Sequence, residues 1–265
     1  MGKFSGKLLV SDMDATLLNS DHLVSEGNRE AIEYFISEGG KFTVATGRMV
    51  SAVRAYFSQM RINAPALLHN GAKIYDFAAE KAIFERFIEE NRKEAIRRVH
   101  DEIPEIGLEV YADEKVYVYR ECSETERFKT RSYDVTYYMP DEVWHRPWIK
   151  ALLIGDRDLL DKYEPLYRRD YDSGYCVRSG SNYLDVVANG VSKGIALTKL
   201  MEMLNIDSSN VYAVGDNMND IDMLKAAGHS FAVENAEEDV KSQADRTVPS
   251  CEDDPIAYII ENGIC

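Results

Sequence analysis

Apolar positions in the first eighty residues alternate between two periods. Leu8 to Ser11 reads as a short buried strand. Ala31, Ile32, Phe35 and Ile36 then recur at helical spacing. Ser25 ahead of them is a helix cap, and Gly39-Gly40 behind them is a stop, since glycine readily takes the left-handed conformation. Phe42 to Ala45 reads as a second strand and Ala66 to His69 as a third. Between them lies a helix with Val50, Val53 and Phe57 on one face. Asn70-Gly71 is a turn signal leading into Lys73-Ile74-Tyr75. This β-α-β-α-β rhythm predicts an α/β fold, a Rossmann-like, doubly wound, mainly parallel sheet with helices on both faces.

The rhythm breaks near residue 84. A charged helical pattern runs from about Glu85 toward Asp101. Glu109 to Tyr111 and Lys115 to Arg120 read as a hairpin, Trp148 to Ile154 as a strand and Asp158 to Arg169 as a helix. Tyr175 to Arg178 and Tyr183 to Ala188 add two strands. Paired strands with interspersed helices predict an inserted antiparallel α+β domain. The first rhythm then resumes. Ser192 caps a helix with Ile195, Leu200, Met203 and Leu204, and Asn210 to Val214 is a strand. A helix with Ile221, Leu224 and Ala227 follows, then a strand from Ser230 to Val233. Pro255 opens a last helix carrying Ile256, Ile259 and Ile260. The expected organisation is a core from 1–83 and 187–265, with an insert over 84–186.

The bulk properties narrow the partners. With 265 residues, 45% of them hydrophobic, the chain can bury one large core or two modest ones. A net charge of −15 argues against nucleic acid or an anionic membrane as partner. It leaves room for a small anionic substrate, because a metal and a few local cations invert the field inside a cleft. Cys122, Cys176, Cys251 and Cys265 form no Cys-x-x-Cys pair and read as reduced thiols of a cytoplasmic protein. No signal-peptide pattern is present, and no run approaches the roughly 20 apolar residues that cross a bilayer. The sequence leaves the oligomeric state open.

Four polar clusters fall at strand ends or helix starts of the core. The first is Asp12-Met13-Asp14-Ala15-Thr16. Residues two apart in a strand face the same way, so Asp12 and Asp14 point together if the strand continues. Carboxylates that close repel unless a cation such as Mg²⁺ offsets them. The pair suits phosphoryl transfer, with Asp12 as nucleophile and Asp14 as acid and base. Taken alone, it also matches two solvated acids. The second cluster, Thr46-Gly47-Arg48, offers a hydroxyl and backbone N–H groups as an anion cradle, or a plain helix cap. Arg48 serves either the phosphate or an acidic neighbour. In the third, Asn189-Gly190-Val191-Ser192-Lys193-Gly194, a lysine opens a helix against the dipole preference. Holding a phosphate or balancing Asp12 is a reason for it, and a solvated surface lysine is the alternative. The fourth, Gly215-Asp216-Asn217-Met218-Asn219-Asp220, is rich in hard oxygen ligands. Asp216 completes a Mg²⁺ shell with Asp12 and the Asp14 main-chain carbonyl. Asp220 orients that shell, and Asn219 donates to the phosphate.

These motifs resemble those of the haloacid dehalogenase-like (HAD) phosphatases, specifically the Cof-type sugar-phosphate phosphatases, and the resemblance spans the chain. It implies a Mg²⁺-dependent phosphatase for small phosphorylated metabolites that works through an aspartyl-phosphate, with the insert as a cap over the substrate. It implies Asp12 and Asp14 as catalytic residues, and Asp12, Asp14 and Asp216 as metal ligands. Thr46, Gly47, Lys193, Asn219 and the Met13 backbone are implied phosphate ligands, and Asn189 stands where family members contact phosphate or substrate. Ala15 departs from the pattern, which has glycine there. A phosphomutase or phosphotransferase on the same core remains an alternative reading. So do a phospho-acceptor that keeps its phosphate and a protein that only binds sugar phosphate.

Overall fold

The computed structural model describes residues 2–129 and 133–264. In chain order the elements are β1 (Leu8–Ser11), α1 (Glu26–Ser37), β2 (Lys41–Val44), α2 (Val50–Arg54), β3 (Ala66–Leu68), β4 (Lys73–Asp76) and β5 (Lys81–Glu85). There follow α3 (Glu90–Glu102), β6 (Gly107–Ala112), β7 (Lys115–Arg120), β8 (Val135–Thr136), β9 (Lys150–Ile154), α4 (Arg157–Leu166), β10 (Cys176–Arg178) and β11 (Tyr183–Val186). The last are α5 (Lys193–Leu204), β12 (Val211–Gly215), α6 (Ile221–Ala226), β13 (His229–Val233), α7 (Glu238–Lys241), β14 (Arg246–Val248) and α8 (Pro255–Asn262). The chain folds as two compact units. One comprises the residues through Arg48, Val53–Phe84 and the residues from Ser192 onward; the other comprises Met49–Ala52 and Glu85–Val191.

The first unit is built on a parallel sheet of order β14-β13-β12-β1-β2. Its central strands are buried along their whole length, as strands covered on both faces must be. A parallel bridge from Ala45 to Leu67 leads to a second sheet of order β3-β4-β5. Ser25 caps α1 as expected, its hydroxyl accepting from Asn28 N. The helix expected to reach Phe57 ends at Arg54. Its hydrogen bonds tighten there to Tyr56 N→Val53 O and Phe57 N→Arg54 O (3.0 and 3.1 Å), and Phe57 turns to stack edge-on against Phe77. The charged run after residue 84 also starts later as a helix than expected. Glu85 instead ends strand β5, and α3 begins at Glu90.

The second unit is a sheet of order β10-β11-β9-β6-β7-β8, antiparallel except where β7 meets β8. One face, with Leu108, Val110, Ala151, Leu153, Leu184 and Val186, packs on α3 and Trp148. The other carries buried charge. Lys150 meets Asp185 at 2.9 Å and Arg127 meets Glu109 at 2.6 Å. The helix expected over 158–169 instead breaks at Leu166 into a π turn, with Asp172 N→Tyr167 O at 2.9 Å. Pro165 lies just ahead of that break and lacks the N–H that a regular helix needs. Cys122, Cys176 and Cys251 are free thiols, and Cys265 lies outside the described residues. Among the described residues no helix is long and apolar enough to cross a membrane.

Candidate active site

β1 stops at Ser11, but Asp12 N still donates to Val214 O of β12 at 2.9 Å. That last rung holds Asp12 beside the carboxyl end of β12, where Gly215-Asp216 begins the next loop. Ligand sites of open parallel sheets form at this edge. Ser192 caps α5 and makes Lys193 its first residue. The Lys193 side chain is 1% exposed, and its Nζ lies 2.6 Å from Asp12 Oδ1 and 2.6 Å from Asp220 Oδ1. Two carboxylates therefore outweigh the unfavourable dipole. The other oxygen of Asp220 accepts from Asp216 N and Asn217 N at 3.0 and 3.1 Å, which fixes the turn after β12. Thr16 Oγ1 donates to Asp216 Oδ1 at 3.0 Å.

Carboxylate oxygens of Asp12, Asp216 and Asp220 lie within 4.8 Å of one another. One ammonium cannot balance three such carboxylates. Burial raises the Asp12 pKa well above its ordinary value; Lys193 opposes the shift, and Asp220, Asp216 and Asp14 add to it. Burial and Asp220 push Asp216 up to about 7, although Thr16 and Lys193 pull the other way. Burial disfavours the Lys193 charge, but Asp12 and Asp220 overcome it and raise that pKa. The cluster thus holds more negative charge than its own cation supports. Its hard oxygen donors fit a small divalent ion such as Mg²⁺.

Asp14 departs from the expected geometry. It does not join the three-carboxylate group; its side chain is 51% exposed and is gripped by Arg48, with Nε and Nη2 at 2.8 and 2.5 Å from its two oxygens. The alternation of a strand does not carry past Ser11, because the chain turns. Leu18 N bonds back to Met13 O at 2.8 Å, and Ala15 adopts φ 56°. This left-handed conformation is where glycine is unstrained and alanine is not. Asn235 Nδ2 donates to the Ala15 carbonyl at 2.8 Å, while its Oδ1 accepts from Cys251 N at 2.8 Å, so the turn is tied to a second loop. Ala15→Gly removes the strain and loosens the unfolded chain, two opposing effects of about 1 kcal/mol each. The expected midpoint of thermal unfolding therefore shifts by no more than a few degrees in a melting experiment.

Thr46-Gly47-Arg48 lies in the loop before α2, with Arg48 two residues ahead of Val50, and is not the helix start itself. Thr46 N donates to Leu67 O at 2.8 Å, and Thr46 Oγ1 accepts from Arg48 N at 3.2 Å. Asn219 Nδ2 donates to Asn70 Oδ1 at 3.0 Å. In the sequence Asn70 is marked only as a turn residue, and Asn-Gly carries no signal beyond that. Met13 is fully buried behind the loop. Asn189 belongs to the second unit, where its Oδ1 accepts from Tyr175 N at 3.0 Å and its backbone N donates to Glu89 Oε1 at 3.1 Å.

A family model described as haloacid dehalogenase-like hydrolase matches residues 9–260. The chain belongs to the haloacid dehalogenase-like hydrolases. A 5-amino-6-(5-phospho-D-ribitylamino)uracil phosphatase of Bacillus subtilis is 25% identical to this hydrolase, over 96% of the chain and 97% of the relative. The structure of a haloacid dehalogenase-like hydrolase from B. subtilis superposes with a TM-score of 0.84 at 25% identity, covering 97% and 99% of the two chains. A sugar phosphatase of HAD subclass IIB shares the fold of the hydrolase at 20% identity, with a TM-score of 0.84 over 98% and 100% of the chains. The curated relatives are named phosphatases and the family is one of hydrolases, which makes the chain a phosphoric monoester hydrolase.

Proposed function

We propose that this hydrolase is a cytoplasmic, Mg²⁺-dependent phosphatase that cleaves small phosphorylated metabolites, sugar phosphates foremost, through an aspartyl-phosphate on Asp12. The observation that carries the reading is the convergence of Asp12, Lys193, Asp216 and Asp220 on one point at the sheet edge. Asp12, Asp216 and the Asp14 main-chain carbonyl would hold the ion, with Asp220 fixing the loop that presents Asp216. Bound there, the ion would offset charge on the transferring phosphoryl group.

The chain supplies the remaining chemistry. The Asp12 carboxylate attacks phosphorus and the ester P–O bond breaks. Asp14 gives a proton to the departing oxygen, which leaves as an alcohol. The ionised Asp14 then takes a proton from water; that water attacks phosphorus, the acyl-phosphate bond breaks, and inorganic phosphate and free Asp12 result. Asp14 must part from Arg48 to do this, so the ion pair is a resting arrangement. Lys193, the Thr46 hydroxyl, the backbone of Met13 and Gly47, and the Asn219 amide steady the phosphoryl oxygens, with Arg48 as a further contact. The relative that acts on a phosphorylated ribityl compound supports a polyhydroxylated substrate. The net charge of −15 supports a small partner over nucleic acid.

The test is phosphate release from p-nitrophenyl phosphate and a panel of sugar phosphates, before and after chelation. Activity should fall at least about 100-fold without divalent ion and return with Mg²⁺. Equal rates in chelator and in Mg²⁺ would overturn the metal assignment. Absence of phosphate release from every compound would overturn the phosphatase reading.

A further inference from the structure

The turn between β3 and β4 touches three of the loops invoked above. His69 N donates to Arg48 O at 3.2 Å and Asn70 N donates to Thr46 O at 3.0 Å, which staples the turn onto the Thr46-Gly47-Arg48 loop. At Gly71 a Cβ would come within 2.2 Å of the Ser192 carbonyl, so the turn also seats against the start of α5. Asn70 Oδ1 accepts from Asn219 in the loop after β12. His69, Asn70 and Gly71 all have positive φ (50°, 54° and 91°), a run of left-handed residues that brings the Asn70 side chain inward.

Asn70 is 1% exposed, and its Nδ2 has no hydrogen-bond partner among the described residues. Leaving a buried donor unmade is costly, and a glycine at 70 would satisfy the backbone without that cost. The side chain therefore does something the turn does not need. A Cβ on Gly47 would sit 3.3 Å from Asn70 Oδ1 and 3.4 Å from Nδ2, so the carboxamide is wedged against that loop. Held on one side by Gly47, it offers its oxygen to Asn219 in a fixed place.

We propose that Asn70 is a positioning residue of the phosphate site, acting through Asn219: its Oδ1 holds the Asn219 carboxamide in the orientation that binds phosphate. This rests on the phosphatase reading above. The experiment is calorimetric titration of inorganic phosphate into the Mg²⁺-loaded protein, with Mg²⁺ affinity measured alongside. The variants are Asn70→Gly, which keeps the left-handed backbone, Asn219→Ala and the double variant. Asn70→Ser is the substitute if the glycine variant does not fold. Each single variant should weaken phosphate about tenfold, and the double should be no weaker than Asn219→Ala alone. Mg²⁺ affinity should stay within about twofold of wild type, because Asn70 reaches none of the carboxylates through a hydrogen bond. Additive losses, an equal loss of Mg²⁺ affinity, or unchanged phosphate affinity would each overturn the proposal. A wild-type protein that binds no phosphate and releases none would remove the phosphatase reading, and this one with it.

Discussion

Asp12→Asn should lower turnover of p-nitrophenyl phosphate by about 10⁴-fold or more, because an amide cannot replace a carboxylate as nucleophile. The same variant should melt at or above the wild-type temperature. Asp12 is buried beside Asp216 and Asp220, and its raised pKa shows that the folded site resists its ionisation. Neutralising it relieves that repulsion, and Lys193 keeps Asp220 as partner. A stable but inactive protein separates a chemical role from a structural one. Turnover within tenfold of wild type, measured on protein free of contaminating phosphatase, would rule out Asp12 as nucleophile.

Lys193→Met should damage both stability and activity. Removing the cation that Asp12 and Asp220 share leaves buried carboxylates uncompensated, a loss of about 3–5 kcal/mol in the metal-free protein. That corresponds to a fall of about 10 °C in melting temperature for a chain of this size. The loss has a sign in pH. Burial and Asp220 push the Asp216 pKa up to about 7 in the folded protein, from an ordinary value of 3.8. A carboxyl whose folded pKa is raised takes up protons more readily folded than unfolded, so folding gains as pH falls from about 7 toward 4. The variant should therefore approach wild type in melts at pH 5.5 and diverge from it at pH 8. Lys193→Arg should not restore the site, because a planar guanidinium cannot replace a point charge 2.6 Å from two separate carboxylates. Similar melting curves at both pH values would show that the carboxylates need no internal cation.

Much of this arrangement is legible in the sequence because parallel strands covered on both faces are apolar runs. The polar residue that ends each run then stands out, as Asp12, Thr46 and Asp216 do. Lys193 is legible as a cation in the wrong place for a helix dipole. Features that depend on where the backbone bends are not legible. Asp14 follows a strand by only three residues, yet a single turn sends its carboxylate to Arg48. Asn70 looks like any Asn-Gly turn, and its contact with Asn219 lies 149 residues away along the chain. Ala15 announces a departure from the glycine pattern but not the Asn235 hydrogen bond that ties its turn down. Short strands such as β8 and β14 hold too few residues to show a period.

The pairing of β1 with β12, Leu8 opposite Val211 to Ser11 opposite Val214, also dictates an order of assembly. During synthesis β1 emerges with β2 close behind it, but long before β12, its other neighbour, exists. Glu85–Val191 is one uninterrupted stretch and can collapse on the ribosome while the flanking halves still wait. Until the carboxyl-terminal segment arrives, the nascent chain lacks Lys193 and Asp216 beside Asp12, and the edge of β1 that β12 will cover stays exposed for that interval.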